Sequence, residues 1–431
     1  MTSSSKIKRR PIGIDLFAGA GGMSLGFEQA GFDIAAAVEI DPVHCAIHEF
    51  NFPRTATICA SVVDLSGADI RQRAGLSDAD IDVVFGGAPC QGFSLIGKRA
   101  LDDPRNQLVF HFVRLVDELR PKYFVFENVK GLTLGKHAEF LHELIAALDK
   151  RGYDCLMPYR VLNAADYGIP QDRRRLFLIG ARRGLDLPRY PEAAATKATV
   201  ADAIADLPNA DAFVELNTSD AVRTAWETHA PYARRLRGLD RDPGDFAYRR
   251  EFDADLLTSS LRTKHTELSK NRFLATEPGK TELISRFRKL PATGLCNTLR
   301  AGTDSARGAF TSPRPIHPTL PRVITVREAA RLHSYPDWFR LHSTKWHGFR
   351  QIGNSVPPLL ARAVAGEIVR ALGLVPSRPR ETIERGDEEL LHFDMGEAAS
   401  HFRVARNVIA QRLRKKNPNQ PDLLEEAHAQ S

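Results

Sequence analysis

Between residues 12 and 180 short β-branched or aromatic runs alternate with longer amphipathic stretches, and few folds accommodate that alternation. It is the pattern of strands separated by crossover helices around a mostly parallel sheet. Candidate strands are 12–17, 34–38, 83–86, 123–126 and 176–179. The stretch 137–150 carries Phe140, Leu141, Leu144, Ile145 and Leu148 at helical spacing, which predicts a helix packed on the sheet. In such open α/β sheets ligands gather outside the carboxyl ends of the strands, so the residues that follow each strand are the first place to look for chemistry.

At 431 residues the chain exceeds what one ordinary core takes, and two or three structural units are expected. Hydrophobic content of 43% with 26% charged residues excludes wholesale disorder, and no apolar run is long enough to span a bilayer. The opening ten residues are polar and basic with no apolar run behind them, which reads as a loose tail and not a secretory signal. Five cysteines, at 45, 59, 90, 155 and 296, form no CxxC pair, so neither a disulfide framework nor a zinc ribbon is expected. His44, Cys45 and His48 have no second cluster to complete a metal site and are read as an exposed helix face. The expectation is a soluble protein of a reducing compartment with no metal. Lys and Arg number 60 against 53 Asp and Glu, a net +7 that fits a polyanionic partner without specifying one.

After residue 183 prolines punctuate polar and Ala-rich sequence, and between 231 and 320 there are 17 basic residues and 10 acidic ones. This stretch reads as a separate basic unit. Strong patterning returns at 323–332 and at 351–372, where Leu360, Val364, Ile368 and Leu372 share one side of a helix.

Four strand ends carry candidate groups. After the first strand, Asp15-Leu16-Phe17-Ala18-Gly19-Ala20-Gly21-Gly22 opens a helix, where glycines let the backbone approach a nucleotide-like ligand. Glu39, 20 positions beyond Gly19 and at the end of the second strand, is placed to accept hydrogen bonds from ribose hydroxyls. These two features alone do not choose between a nicotinamide cofactor and S-adenosylmethionine. Cys90, in Gly86-Gly87-Ala88-Pro89-Cys90-Gln91-Gly92, puts a lone thiol just past an apolar strand, where a nucleophile would meet a flat substrate. Glu127 ends another strand on the same rim. In the run Gln171-Asp172-Arg173-Arg174-Arg175, residues 171, 173 and 175 share one face of an extended segment, so the Arg173 and Arg175 guanidinium forks are expected to aim together.

Taken in order, DLFAGAGG at 15–22, Glu39, Asp64, GGAPCQGFS at 86–94, ENV at 127–129, QDRRR at 171–175, REAARL at 327–332 and QIGNSVPP at 351–358 resemble the DNA cytosine-5 methyltransferase family. The resemblance implies a doubly wound, Rossmann-like methyltransferase fold with a smaller DNA-recognition domain. It divides the chain into a basic tail (1–11), a catalytic domain (12–209), a target-recognition domain (210–345), a return to the catalytic domain (346–373), and a linker with a C-terminal helical extension (374–431). It also implies S-adenosylmethionine as cofactor, with Asp15, Phe17, Gly19, Gly21, Gly22, Glu39, Asp64, Asn354 and Ser355 around it. Cys90 is then the nucleophile toward C6 of a flipped cytosine, Glu127 the group on N3 and the exocyclic amine, and Arg175 with Arg173 the pair that holds the ring carbonyl. The implied partner is double-stranded DNA, in a restriction-modification or solitary prokaryotic setting. A monomer in the cytoplasm, associated with the nucleoid, is expected, with any cognate endonuclease acting on the same site without stable binding. Two alternatives stay open: methylation of transfer RNA on the same fold, and a noncatalytic DNA-binding regulator.

The resemblance ends at residue 373. Beyond it, residues 396–405 followed by 408–413 resemble a helix-turn-helix with its turn near Arg403, which would add a second DNA contact.

Overall fold

The computed structural model describes residues 8–89, 107–133, 137–302 and 314–409. Its strands are β1 (Ile12–Leu16), β2 (Asp33–Glu39), β3 (Ala56–Cys59), β4 (Val83–Gly86), β5 (Tyr123–Val129), β6 (Tyr153–Cys155), β7 (Arg160–Asn163), β8 (Gln171–Asp172) and β9 (Arg174–Arg182), with shorter pairs later in the chain. All but β8 form one sheet in the order β3-β2-β1-β4-β5-β9-β6, with β7 also paired to β9. The first five strands run parallel, whereas β9 is antiparallel to β5, β6 and β7. The chain winds outward from β1 to β3, then crosses to β4 on the other side. That reversal leaves a crevice at the carboxyl ends of β1 and β4.

Helices cover both faces. The crossovers are α1 (Gly22–Ala30), α2 (Pro42–Asn51), α3 (Gly67–Arg73), α4 (Gln107–Leu119) and α5 (His137–Asp149). They are followed by α6 (Val200–Ile204), α7 (Pro231–Leu236), α8 (Glu267–Ala275), α9 (Val326–Leu332), α10 (Lys345–Asn354), α11 (Pro358–Ala371) and α12 (Met395–His401). Strand alternation sorts the apolar side chains: Phe85, Val125, Phe177 and Ile179 face α1, α2 and α11, while Val84, Phe124, Phe126, Leu176 and Leu178 face α4 and α5. Burial on both faces explains why these strands read as continuous apolar runs. The first of these clusters continues through Leu290, Leu299, Ile324, Leu390 and Leu391, so one core crosses the boundaries expected at 210, 345 and 374.

The helix read over 351–372 is two helices, because Ser355-Val356-Pro357-Pro358 interrupts it and α11 begins with proline at its first turn. All nine residues of α1 are buried, since it lies between the sheet and α11. Close approach there depends on glycine: a Cβ at Gly26 would lie 2.5 Å from the Pro358 carbonyl oxygen and closer still to the Ala361 Cβ.

Three expectations change. Residues 8–11 are not loose: Arg9 pairs with Asp82 at 2.6 Å, and Arg10 reaches Asp33 at 2.6 Å and the carbonyls of Phe246 and Ser377. The stretch 377–389 is a strap and not a free linker, with Thr382–Ile383 paired to Arg249–Arg250 and the Gly386 N–H donating to the Phe50 carbonyl. α12 packs on α2 through buried Ala398 and Ala399, with His401 beside Glu49. Arg403 does make a left-handed turn, at φ 55°, but residues 404–409 are not helical, and the second helix expected from Val408 falls mostly outside the described residues. Finally, His44, Cys45 and His48 are buried, because both the sheet and the strap cover α2. No described helix is long and apolar enough to cross a membrane.

Gly26→Ala should therefore destabilise the protein by roughly 1–3 kcal/mol through overpacking. Denaturant unfolding checks this, and an unchanged midpoint would mean that α1 and α11 separate freely.

Candidate active site

Every parallel strand ends on one rim. Past β1 the backbone turns left-handed at Phe17 (φ 67°), Gly19 (φ 56°) and Gly21 (φ 99°) before α1 begins at Gly22. Positive φ is strained for Phe17 and easy for glycine, so the turn is held by its surroundings. Glu39, at the end of β2, does much of that: its carboxylate accepts the Gly19 N–H at 2.8 Å and the N–H groups of Ile40 and Asp41 at 2.9 Å. A carboxylate has about four acceptor positions, so one remains for a diol. Asp15 is buried, with its Oδ2 2.6 Å from Ser24 Oγ. Asp64 is exposed on the loop after β3, where the Ala60 N–H donates to the Glu39 carbonyl.

The late motif arrives from the other side. A Cβ at Gly22 would lie 2.5 Å from the Val356 carbonyl oxygen and 2.9 Å from the Ser355 Cβ, so residues 355–356 sit directly against the start of α1. Asn354, the last residue of α10, is exposed beside them. Apart from Asp64, which is exposed on its own loop, the structure thus gathers the residues expected around a cofactor. Left-handed glycines, a carboxylate with one acceptor position left and a half-buried Phe17 fit an adenosyl-type ligand.

Across the crevice, β5 delivers Glu127. It is buried, and Arg175 from the neighbouring β9 places its Nε 3.0 Å from Glu127 Oε1. Burial pushes the Glu127 carboxyl up, while Arg175 and Arg173 pull it down and win less. A carboxyl raised in this way holds its proton more readily than a free one, which suits an acid. Gly87, just past β4, lies against it: a Cβ there would come within 2.6 Å of Glu127 Oε2. Asn128 Nδ2 donates to the Ala88 carbonyl at 2.9 Å, fixing the same turn. The turn is described as far as Pro89, and Cys90 lies outside the described residues.

Residues 171, 173 and 175 do share the inward face, with Asp172 and Arg174 exposed between them. Their guanidinium groups nevertheless part company. Arg175 turns to Glu127, whereas Arg173 donates to the carbonyls of Leu299 (2.8 Å), Gly353 (2.9 Å) and Ser355 (2.7 Å). Gln171 makes a parallel set of contacts, to the Leu332 carbonyl, His333 Nδ1 and the Leu299 N–H. Arg173 is therefore a positioning residue that ties the Asn354–Ser355 turn to the sheet. Its burial lowers the guanidinium pKa well below normal, with the Arg175 charge adding to that. The run of arginines pointed to chemistry, but only their partners in the folded chain separate the two roles.

Other residues were not found from the sequence. Ser24 and His48 meet beneath the glycine turn, and Arg331 ties α9 to Asp206 and Asp337 at 2.7 and 2.6 Å. No local spacing signals such contacts.

The sequence profile of the C-5 cytosine-specific DNA methylases matches residues 13–370. Type II methyltransferase M.XorII of Xanthomonas oryzae pv. oryzae is 66% identical over 405 residues, covering 94% of this chain and 95% of the relative. Type II methyltransferase M.AgeI of Thalassovita gelatinovora is 31% identical, covering 83% and 99%. Among solved structures, a prophage-encoded E. coli protein assigned as a DNA modification methyltransferase superposes with a TM-score of 0.70 at 35% identity, over 84% of this chain and 99% of that one. The S. pombe Dnmt2 methyltransferase shares the fold, with a TM-score of 0.52 at 18% identity over 84% of this chain and 99% of that one.

Replacing Arg173 by alanine would take the buried Leu299 and Gly353 carbonyls from their donor and open a void, and should cost roughly 3 kcal/mol or more. Arg175→Ala, which breaks one ion pair to a carboxyl able to take a proton instead, should cost less, roughly 1–2 kcal/mol. Thermal unfolding of the two variants side by side checks this, and equal losses would contradict the division of roles.

Proposed function

The chain belongs to the C-5 cytosine-specific DNA methylase family, and on that premise we propose that it transfers a methyl group from S-adenosylmethionine to C5 of a cytosine flipped out of duplex DNA, through a covalent bond between Cys90 and C6. The observation that carries this reading is the packing of the Glu127 carboxyl, braced by Arg175, against the Gly87 turn that leads into Cys90.

The chemistry follows from the substrate. C5 of cytosine is too poor a nucleophile to attack an alkylating group unaided. Thiolate addition at C6 pushes electrons into the ring and leaves C5 enamine-like. Glu127, raised by burial, faces N3 and the exocyclic amine and stabilises the protonated ring as charge develops there. Arg175 fixes that carboxyl and reaches toward the ring carbonyl, and Arg173 acts on the site only through the Ser355 turn. S-adenosylmethionine supplies the electrophilic methyl; around it, Glu39 would take the ribose diol, Phe17 the adenine face, and Asp64 the adenine amine. Asn354 and Ser355 close the pocket. After transfer, water takes the C5 proton, the C5–H electron pair restores the C5–C6 double bond, and the Cys90 sulfur leaves with the C6–S pair as thiolate.

A cytosine stacked in a duplex is closed to such attack, so flipping at roughly a few kcal/mol precedes it. Exposed Lys264, Lys280, Arg286 and Arg288 in the region 210–345 support a phosphate-binding role that offsets this cost. The enzyme works as a monomer in the cytoplasm at the nucleoid, in a Type II modification system in which any cognate endonuclease meets the same DNA site without stable binding.

Duplex carrying 5-fluoro-2′-deoxycytidine at the recognised site, incubated with methyl donor, should yield a stable adduct through residue 90, because fluorine cannot leave as the proton does. Recovery of free enzyme alone would overturn the covalent route, and methylation of transfer RNA in place of duplex DNA would overturn the substrate. Cys90→Ser should abolish turnover while S-adenosylhomocysteine still binds in calorimetry. Glu127→Gln should lower kcat by roughly 10²–10⁴-fold, the range of a lost acid, as measured by tritiated methyl incorporation.

A further inference from the structure

Beneath the glycine turn lies a buried polar chain that none of the steps above uses. Ser24 Oγ is 2.6 Å from Asp15 Oδ2 and 3.0 Å from His48 Nε2, and His48 Nδ1 is 3.4 Å from Thr57 Oγ1. Asp15, Ser24 and His48 are 1%, 0% and 0% exposed. The four residues come from β1, α1, α2 and β3, the elements that surround the turn. The His48 ring also stacks on Phe52 with centroids 4.6 Å apart. Gly21 rests on that pair: a Cβ there would touch the Phe52 ring and lie 3.1 Å from His48 Cδ2. One imidazole thus supports the start, the apex and the far side of the turn.

Burial and the nearby Glu39 push the Asp15 carboxyl up to about 8, and burial alone takes His48 down to about 3. The ionisable groups facing Asp15 are Glu39 and Tyr335, and no charged neighbour contributes to the shift at His48. A chain of neutral groups can be satisfied in two directions. With a proton on Asp15, its O–H donates to Ser24, Ser24 donates to His48 Nε2, and His48 Nδ1–H donates to Thr57. With Asp15 ionised every bond reverses: Thr57 donates to Nδ1, Nε2–H donates to Ser24, and Ser24 donates to the carboxylate. Passing from the first to the second moves one proton along each link and releases one at the half-buried Thr57 end, and His48 never becomes imidazolium.

We propose that His48 is a positioning residue for the methyl-donor turn, holding it through Ser24 and the Gly21 contact, and that its tautomer follows the charge of Asp15. The first half rests on the reading that the turn holds S-adenosylmethionine; the second does not.

Long-range ¹H–¹⁵N spectra of the free protein should show His48 neutral throughout and changing from Nδ1–H to Nε2–H as pH rises through about 8. Ser24→Ala, which cuts the link, should leave the tautomer independent of pH. A fixed tautomer in the wild type, or an imidazolium signature, overturns the coupling. For the positioning role, His48→Leu should weaken S-adenosylhomocysteine binding in calorimetry and raise the donor KM by roughly 10–100-fold, the usual loss for a residue that orients a ligating one, with kcat at saturating donor little changed. His48→Asn, which keeps a donor and an acceptor, should recover part of the loss. Should His48→Leu fail to fold, Ser24→Ala carries the same binding test. Unchanged affinity in the folded variants overturns the positioning role, whereas no binding by the wild type would instead overturn the donor assignment and leave the tautomer test standing.

Discussion

A buried guanidinium joins the two ends of this fold. Arg173 spends its Nη donors on carbonyls at 299, 353 and 355, three points that the chain reaches only after more than a hundred further residues. Burying such a charge is tolerated because each of those carbonyls is hydrogen-bonded to it. The contact holds the Ser355 turn against Gly22, and so completes the rim begun by β1 and β2. Without it the glycine turn would face solvent on one side.

Around that brace the site divides into a neutral half and a charged half. Under the glycine turn, Asp15, Ser24 and His48 are buried with no cation beside them among the described residues, and burial raises the carboxyl to about 8 and keeps the imidazole uncharged. Across the crevice Glu127 is equally buried but has Arg175 at 3.0 Å, so its proton affinity is a balance of opposing effects. Two carboxyls on the same rim, on strands β1 and β5 with β4 between them, thereby acquire different chemistry from their neighbours alone.

Much of this could be read from the residues in order. The apolar runs at 83–86 and 123–126 located strands, because a strand buried on both faces needs such a run, and the motifs after them fell on one rim because parallel strands all end on one side. Strands β3, β6 and β7 were missed, being short and half-polar. Residues 8–11 and 377–389 read as loose because Arg10, Arg54 and Glu381 look like solvated charges until their partners at Asp33 and across the strap are known. Arg173 and Arg175 look interchangeable for the same reason.

Local sequence located the longer apolar strands, the family, and which strand ends bear reactive side chains, since periodicity and turn chemistry are properties of neighbours along the chain. Tertiary structure alone decided which arginine braces and which faces Glu127, that α2 is covered, and that His48 meets Ser24. Those outcomes depend on burial and on partners tens to hundreds of residues away, and no local pattern encodes either.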